Sequence, residues 1–358
     1  MKTAAYVGNR TIEVREAERP EPGPGQARVR VSHVGLCGTD LHVFHGDMDA
    51  RVTIPAILGH EMSGTIDALG PGVTGHAPGD AVTVLPLAWD GTCPACRAGN
   101  EHICQHLDFI GVDTPGALQE FWIVDASTLV AIPAGVPGRD AALVEPVAVA
   151  VHDVRRGEVA PGDAVVVIGG GPIGSLIATV ARHAGARVAV AEIDAGRREA
   201  VARLGFETID PGGGPGDDPG SGPAAWVDRW TGGAGADVVF EVSGSEAGVL
   251  TATALAKVRG TVVVVAIHPR PRPVDLHRVF WRELRILGAR VYQRTDFETA
   301  IGLVADGTVP VDDLVSAVVP IEELGGAFGR LERGEAMKIL VSVGEGGVGE
   351  SPDEGVGR

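Results

Sequence analysis

The stretch from Val165 to Gly174 constrains this chain most, because it joins a buried-strand pattern to a glycine-rich turn. Val165–Ile168 reads VVVI, and Gly169–Gly174, which follows directly, reads GGGPIG. The glycines allow a tight turn and a close approach of the backbone to a pyrophosphate. The helix expected next offers free N–H groups and the positive end of its dipole. The segment therefore predicts a dinucleotide site, with contacts from Gly169, Gly171, Pro172, Ile173 and Gly174.

The sequence beyond about residue 160 alternates strand and helix patterns, as is typical of a doubly wound α/β fold with a parallel sheet. Apolar runs predict strands and periodic amphipathic stretches predict helices. The expected strands are Ala164–Ile168, Arg187–Ala191, Val238–Val242 and Thr261–Ala266, and the expected helices are Pro172–Ala184 and Asp194–Leu204. Before residue 150, short β-rich runs such as Ala27–Val31 are separated by Gly/Pro turns, which indicates a mostly β unit.

These patterns predict two domains with a returning chain. We expect a catalytic domain at residues 1–150, a nucleotide-binding domain at 151–292, and a return to the first domain at 293–343. Pro211–Pro223 is rich in Gly, Pro, Asp and Ser, and we expect it to be a mobile surface insertion. Residues 344–358 have a similar composition, and we expect them to form a disordered tail.

An acidic residue indicates which dinucleotide binds. Glu192 follows the second strand of the nucleotide domain, where a carboxylate can bond both ribose hydroxyls and repel a 2′-phosphate. NAD(H) is therefore favoured over NADP(H). Arg197 and Arg198 lie close by in sequence and leave that preference open, and Arg197 is a further candidate for cofactor contact.

Charge and cysteine content narrow the class of protein. The formal net charge of −17 argues against a nucleic-acid or anionic-membrane partner, since both attract Lys and Arg. The N-terminal residues show no apolar signal core, so we expect a cytoplasmic protein. In a reducing compartment, clustered thiols such as Cys93, Cys96 and Cys104 indicate metal binding rather than disulfides.

Three distant segments supply possible ligands for a catalytic metal. They contribute the thiol of Cys37, the imidazole of His60, and the carboxylates of Glu61 and Glu145. Zinc favours such a mixed set, and a catalytic zinc keeps one position open. Taken singly, these residues are more often a buried thiol, a structural histidine and surface charges. Together, beside a dinucleotide site, they indicate hydride transfer to or from an alcohol carbon.

The same segments resemble the zinc-containing medium-chain dehydrogenase/reductase family, the family of the alcohol dehydrogenases. The resemblance runs from Tyr6 to about Val343 and implies a GroES-like catalytic domain beside a Rossmann domain. Glu145 and Pro146 stand where ethanol-type enzymes carry a cysteine, so the polyol, threonine and butanediol dehydrogenase branch is closest. The motifs that carry the resemblance are Gly35–His42 (GLCGTDLH), Pro55–Glu61 (PAILGHE), Leu143–Pro146 (LVEP) and Gly169–Gly174.

The resemblance implies a role for each residue of the site. Cys37 and His60 would ligate the catalytic zinc, and either Glu61 or Glu145 would complete the set. Asp40 would accept a hydrogen bond from His60, although a turn-stabilising role is the plain alternative. Thr39 and His42 would pass the substrate proton to solvent, and the aromatic residues Phe44, Trp89, Phe109 and Tyr292, with Val43, are candidates to line the pocket.

A second metal site is also implied by the resemblance. Cys93, Cys96 and Cys104 match the family's structural zinc lobe in spacing, but Asp90 stands at the first position in place of a cysteine. A carboxylate can bind zinc, so a site with one Asp and three Cys is chemically possible. The alternative is a metal-free loop with three free thiols.

The sequence therefore predicts an NAD-dependent, zinc-dependent dehydrogenase of a secondary alcohol: a polyol, cyclitol, amino alcohol or diol. The partner is the small-molecule alcohol or ketone, and the resemblance implies a homodimer or homotetramer. Three alternatives stay open. They are an L-threonine 3-dehydrogenase, for which the sequence shows no carboxylate clamp, a zinc-free reductase of the same fold, and a non-catalytic NAD-binding homologue.

Overall fold

A computed structural model describes residues 1–212 and 222–344. Of the expected insertion at Pro211–Pro223, residues 213–221 lie outside the described part, and so does the expected tail except Gly344. The strands are β1 Lys2–Tyr6, β2 Ile12–Glu16, β3 Gln26–Gly35, β4 Ala56–Ile57, β5 Glu61–Leu69, β6 Ala81–Val84, β7 Leu87–Ala88, β8 Asp108–Phe109, β9 Phe121–Asp125, β10 Leu129–Ala131, β11 Ala164–Ile168, β12 Arg187–Ala191, β13 Glu207–Ile209, β14 Ala236–Glu241, β15 Ala256–Val264, β16 Arg285–Gly288, β17 Val315–Pro320 and β18 Lys338–Ser342. The helices are α1 Gly38–His45, α2 Pro94–Arg97, α3 Gly138–Ala141, α4 Val144–Arg156, α5 Pro172–His183, α6 Ala195–Arg203, α7 Pro223–Thr231, α8 Glu246–Leu255, α9 Leu276–Arg282, α10 Arg294–Ala305, α11 Val311–Leu314 and α12 Leu324–Glu332.

The chain divides into two compact units. Unit 1 contains Met1–Gly99, Cys104–Glu145 and the chain from Val315 onward, and unit 2 contains Asn100–Ile103 and Pro146–Leu314. In this division the chain enters unit 1 again at Val315, whereas the sequence predicted a return at residue 293. The first boundary likewise lies at Glu145, inside α4, and not at residue 150.

Helix α10 stays in unit 2 because it is tied to α4 there. The carboxylate of Asp296 on α10 accepts hydrogen bonds from His152 Nδ1 at 2.9 Å and from Arg155 Nε at 2.7 Å, both on α4. His152 and Asp296 are each 2% exposed, so this pairing lies in the interior of unit 2. Nothing in the local sequence of α10 indicates that ion pair, and the sequence-based boundary at residue 293 does not take it into account.

Unit 1 is mostly β, as expected. Its largest sheet has the order β10-β6-β5-β3-β18-β17, and β9 pairs with β3 as well. Strand β3 is thus hydrogen-bonded to β5, β9 and β18, all antiparallel. Its apolar residues Val29, Val31 and Val34 are fully buried. The central position of β3 matters because candidate ligands lie just beyond its end.

Unit 2 is the doubly wound parallel sheet predicted from the sequence. The strand order is β13-β12-β11-β14-β15-β16, and every neighbouring pair is parallel. Strand β11 lies inside this sheet, and Val165, Val166 and Val167 are fully buried because both faces are covered. Strands β11 and β12 have the predicted bounds, and α5 and α6 agree with prediction to within one residue at each end.

Two glycines of the turn after β11 are required for different reasons. A Cβ on Gly174 would lie 1.8 Å from the carbonyl oxygen of Gly169, so only glycine fits there. A Cβ on Gly171, which precedes α5, would meet no atom of the protein within 4 Å. The protein's own packing therefore requires Gly174, whereas the space at Gly171 is free for a ligand.

Within the described residues, no helix is long and apolar enough to cross a lipid bilayer.

This contrast predicts opposite outcomes for two alanine substitutions. Alanine normally stabilises a helix by about 1 kcal/mol over glycine, but we expect Gly174→Ala to lower the free energy of unfolding by roughly 1–3 kcal/mol because of the clash with Gly169. Gly171→Ala should change that free energy by less than about 0.5 kcal/mol and should weaken dinucleotide binding. Urea unfolding and NADH fluorescence titration measure the two effects. Equal stability losses in both variants would contradict this account.

Candidate metal and cofactor sites

The strand register of unit 1 brings together three of the expected metal ligands. Glu61 begins β5 and pairs directly with Gly35 at the end of β3, while Cys37 lies two residues beyond Gly35. His60 immediately precedes β5 and is 2% exposed. Its Nε2 lies 3.2 Å from the Sγ of Cys37. The candidate ligand atoms of Cys37, His60 and Glu61 all lie within 4.8 Å of one another.

This geometry fits a zinc ion. Tetrahedral zinc with bonds of about 2.3 Å to sulfur and about 2.0 Å to nitrogen separates the two ligand atoms by roughly 3.5 Å, close to the separation of Cys37 Sγ and His60 Nε2. Burial lowers the pKa of His60, but the neighbouring Cys37 and Asp40 raise it to a net value well above its usual range. The same negative surroundings favour a divalent cation.

Helix α1 fixes the orientation of Cys37. The Cys37 sulfur accepts a hydrogen bond from the Thr39 N–H at 3.2 Å, and the Cys37 N–H donates to Asp40 Oδ2 at 2.9 Å, which forms a capping box. The other oxygen of Asp40 lies 3.7 Å from His60 Nδ1. That distance is too long for the hydrogen bond expected between them. Asp40 therefore caps the helix and acts on His60 only as a nearby charge.

Lys338 is a residue of this site that sequence reasoning missed. It begins β18, is 3% exposed, and its ammonium forms an ion pair with Glu61. Burial lowers the pKa of Lys338, but Glu61 and Cys37 raise it to a net value above its usual range, so it carries a charge. A Cβ on Gly35 would lie 2.1 Å from Glu61 Oε2, so glycine makes room for this pair. The sequence feature that could have indicated this residue is a single lysine at the start of the apolar run Lys338–Val341.

Glu145 is buried but stands apart from the closest cluster. It is 4% exposed in the first turn of α4, and its charge raises the pKa values of His60 and Lys338. Among the described residues, the compact ligand group contains Glu61 and not Glu145. The choice between the two carboxylates as zinc ligand therefore stays open.

Thr39 and His42, the expected proton relay, lie one turn apart on α1. Residues three apart share a helix face. Thr39 is half-buried and His42 is exposed, with His42 Nδ1 3.0 Å from Asp47 Oδ2. The helix thus leads from the Cys37 end to solvent.

Several residues expected to line the substrate pocket are occupied by packing instead. Phe44 stacks on Phe328 with ring centroids 4.7 Å apart, and Tyr292 is fully buried against Phe297 in unit 2. Val43 is fully buried as well. Phe109 packs on the ring of His60 at 4.8 Å, and Trp89 is 41% exposed. Phe109 thus contacts the ring of a candidate zinc ligand.

The cysteine lobe brings its four expected ligands together. The Cys93 sulfur lies 3.5 Å from that of Cys96 and 3.8 Å from that of Cys104. Tetrahedral zinc–sulfur bonds separate two sulfurs by about 3.8 Å, and Asp90 lies in the same group within 4.8 Å. Hydrogen bonds from the backbone N–H groups of Cys96 and Gln105 lower the pKa of Cys93 to about 7, and burial raises that of Cys96 to about 12. The donor set fits zinc.

Asp90 is held in place as a charged group. Its Oδ1 accepts hydrogen bonds from the N–H groups of Thr92 and Cys93, and its Oδ2 lies 2.6 Å from His106 Nδ1. The hydrogen bond to His106 is the main cause that lowers the pKa of Asp90. His106, which also lies in the loop, is a second residue that the sequence reasoning did not single out.

In unit 2, Glu192 contacts the glycine-rich turn directly. Its Oε2 accepts a hydrogen bond from the Gly170 N–H at 2.7 Å, and its Oε1 accepts one from the Asp194 N–H at 2.8 Å. Each carboxylate oxygen can accept a further hydrogen bond, so a ribose hydroxyl can still bind. Arg198 is engaged by the carbonyls of Glu192 and Ile193 and by Asp210, whereas Arg197 is half-buried at the start of α6.

Comparison with known proteins agrees with both units. Residues 23–134 match the family model "Alcohol dehydrogenase GroES-like domain", and residues 172–306 match "Zinc-binding dehydrogenase". The chain is 47% identical over 342 residues to the 2-dehydro-3-deoxy-L-galactonate 5-dehydrogenase of Pseudoalteromonas atlantica, which covers 95% of this chain and 98% of that protein. This chain belongs to the zinc-binding dehydrogenase family.

Two further relatives lie at greater distance. The sorbitol dehydrogenase of Halalkalibacterium halodurans is 32% identical, and the match covers 91% of this chain and 94% of that protein. A zinc-binding dehydrogenase from Sinorhizobium meliloti, solved with bound NADP, superposes with a TM-score of 0.87 at 31% identity and covers 95% of this chain and 98% of that chain. The predicted family and fold class are thus confirmed, and the protein is a dehydrogenase that acts on CH–OH groups.

The ion pair between Lys338 and Glu61 predicts a strong coupling between the two side chains. Lys338→Met leaves Glu61 buried and uncompensated, so we expect the chelator-treated protein to lose roughly 3–5 kcal/mol of unfolding free energy. Lys338→Met combined with Glu61→Gln should lose less than the single lysine variant. Urea unfolding of both variants and of Glu61→Gln completes a double-mutant cycle.

A matched control uses the exposed pair of Lys2 and Glu322, whose side chains are 44% and 49% exposed. Lys2→Met should cost at most about 1 kcal/mol, because solvent screens that pair. Strictly additive losses at Lys338 and Glu61 would show that the buried pair is not coupled.

Proposed function

We propose that this dehydrogenase oxidises a secondary hydroxyl of a sugar acid or polyol with NAD and a zinc ion. The observation that carries the proposal is the buried cluster of Cys37, His60 and Glu61, in a chain 47% identical along almost its whole length to a sugar-acid dehydrogenase. A sugar acid that carries a free secondary hydroxyl, of the type named for that relative, is the first substrate class, and neutral polyols are the second.

The zinc would be held by Cys37, His60 and one of the two glutamates. When bound, such a metal supplies a Lewis acid that makes a substrate hydroxyl more acidic. Lys338, which is ion-paired with Glu61, balances part of the negative charge of this ligand set. In the lobe, Asp90, Cys93, Cys96 and Cys104 would fill all four positions of a second zinc, which would be structural.

The protein's own residues would carry the substrate proton away. Thr39 is half-buried near the Cys37 end of α1, and its hydroxyl can accept and donate a hydrogen bond. His42 lies one turn further at the surface, where its Nδ1 is 3.0 Å from Asp47 Oδ2. We propose that the proton passes from Thr39 to His42 and then to solvent.

The cofactor preference and the assembly also remain proposals. Glu192 at the end of β12 supports NAD over NADP, because its carboxylate is fixed beside the turn at Gly170. A homodimer or homotetramer is supported by the exposed apolar side chains of α9, where Leu276, Phe280 and Trp281 are 72%, 73% and 68% exposed. Light scattering counts the chains. A cytoplasmic location is proposed from the sequence alone.

Loss of the metal ligands is the first test of the proposed function. Cys37→Ser and His60→Ala should each remove one zinc per chain and lower kcat by more than about 100-fold, while the affinity for NADH stays within about twofold. Plasma emission spectrometry measures zinc. Cys93→Ser is the matched variant, because it removes zinc from the lobe and leaves the first site filled. Full turnover by a preparation without zinc would refute the proposal.

The role of Glu192 predicts a change in cofactor preference. In Glu192→Gln the charge is gone, and the single amide oxygen can accept the N–H of Gly170 or of Asp194 but not both. We expect the Michaelis constant for NAD to rise about tenfold, and that for NADP to stay constant or fall because repulsion of the 2′-phosphate is relieved. Glu199→Gln on the exposed side of α6 is the control. An equal rise for both cofactors would show that Glu192 only supports the turn.

A further inference from the structure

The side chains of Asp90 and His106 join the two ends of the cysteine lobe. Asp90 stands at the position where the resemblance leads one to expect a cysteine, and its Oδ2 lies 2.6 Å from His106 Nδ1. A carboxylate can only accept a hydrogen bond, so the imidazole donates from Nδ1. Both residues belong to unit 1, as do the three cysteines, and the contact therefore lies within one compact unit.

Both residues also bind the sulfur of the same candidate ligand. The backbone N–H of Asp90 donates to Cys104 Sγ at 3.5 Å, and the backbone N–H of His106 donates to it at 3.3 Å. The bond between the two side chains thus closes a ring around the Cys104 sulfur. Through this ring, the pair positions two of the four candidate ligands, Asp90 and Cys104.

The Asp90 carboxylate has about four positions at which it can accept a hydrogen bond. Its Oδ1 accepts from the N–H groups of Thr92 and Cys93 at 2.7 and 2.8 Å, and its Oδ2 accepts from His106. The Cys96 thiol is a further partner of this carboxylate. A thiol loses its proton when it binds a metal. A zinc ion would therefore replace this last partner, while the other three keep the carboxylate oriented.

His106 is placed to orient a ligand rather than to be one. Among the described residues, the compact ligand group contains Asp90 and the three cysteines but not His106. Those four already fill a tetrahedral zinc site. The His106 side chain is 74% exposed, so its hydrogen bond to Asp90 matters more than its packing. Loss of a group that orients a metal ligand typically lowers metal affinity roughly 10- to 100-fold.

We propose that His106 is the positioning residue of the lobe's metal site, and that the Asp90–His106 pair takes the place of the missing fourth cysteine. The inference rests on the proposed structural zinc and deepens it. A carboxylate needs such a partner because it can rotate and offers two oxygens, whereas a cysteine offers a single sulfur. The effect of His106 should therefore depend on the presence of Asp90.

The test measures zinc affinity in the full-length His60→Ala protein, in which the lobe is the remaining proposed zinc site. Zinc is titrated in competition with a chelator. We expect His106→Ala to weaken zinc binding about tenfold. His106→Asn should stay within about threefold, because its amide nitrogen can donate from nearly the place of Nδ1. The matched control is His183→Ala, an exposed histidine of α5, which should leave the affinity unchanged.

A double-mutant cycle separates positioning from a general role in the loop. Asp90→Cys replaces the carboxylate by a thiolate, and in that protein His106→Ala should change zinc affinity by less than about twofold. X-ray absorption at the zinc edge counts the sulfur ligands independently. It should find three sulfurs with Asp90 present and four in Asp90→Cys. Cys37→Ser is the second background if His60→Ala fails to fold.

The other outcomes overturn the inference in distinguishable ways. Equal losses from His106→Ala with and without the carboxylate would show that His106 only supports the loop. Unchanged affinity in His106→Ala would refute the positioning role and leave the structural zinc intact. If Asp90→Ala keeps its zinc and His106→Ala loses it, His106 is itself the ligand. A lobe that binds no zinc in either background would refute the inference and the proposed structural zinc together.

Discussion

Strand β3 is the constraint on which the metal site of unit 1 depends. It pairs with β5, β9 and β18, so its end is fixed by hydrogen bonds from several sides. That end places Cys37 beside His60, and the register with β5 places Glu61 beside Gly35. A slip of one residue would turn the Glu61 side chain to the opposite face of the sheet. The ligand geometry is therefore a property of strand pairing and not of a flexible loop.

The site is also an arrangement of buried charge. The acidic groups of Cys37, Asp40, Glu61 and Glu145 lie within or beside a region from which water is largely excluded, and burial raises the pKa of Asp40. Lys338 supplies one compensating charge, and a divalent cation would supply two more. Such an assembly is stable only when every member is matched, which explains why a lysine occupies the first position of an otherwise apolar strand.

Much of the fold and part of the metal site could be predicted from the sequence because they depend on local patterns of residues. Strands β11 and β12 follow from short aliphatic runs, and the turn before α5 follows from its glycines. Cys37, His60 and Glu61 could be named because their motifs resemble a family. Lys338 could not, because its importance comes from Glu61, a neighbour distant in sequence. The contacts of Asp296 with α4, which hold α10 in unit 2, likewise join residues distant in sequence and could not be read from a local pattern.

The two glycines of the turn after β11 differ in what their replacement would mean in related proteins. Gly174 is required by the backbone of its own fold, whereas no protein atom lies within 4 Å of a Cβ placed on Gly171. A related protein that no longer bound a dinucleotide would still need glycine at position 174 as long as it kept the fold. Gly171 could then be replaced by a residue with a side chain. Loss of glycine at position 171 alone would therefore indicate loss of cofactor binding, whereas loss of glycine at position 174 would indicate a change in the fold itself.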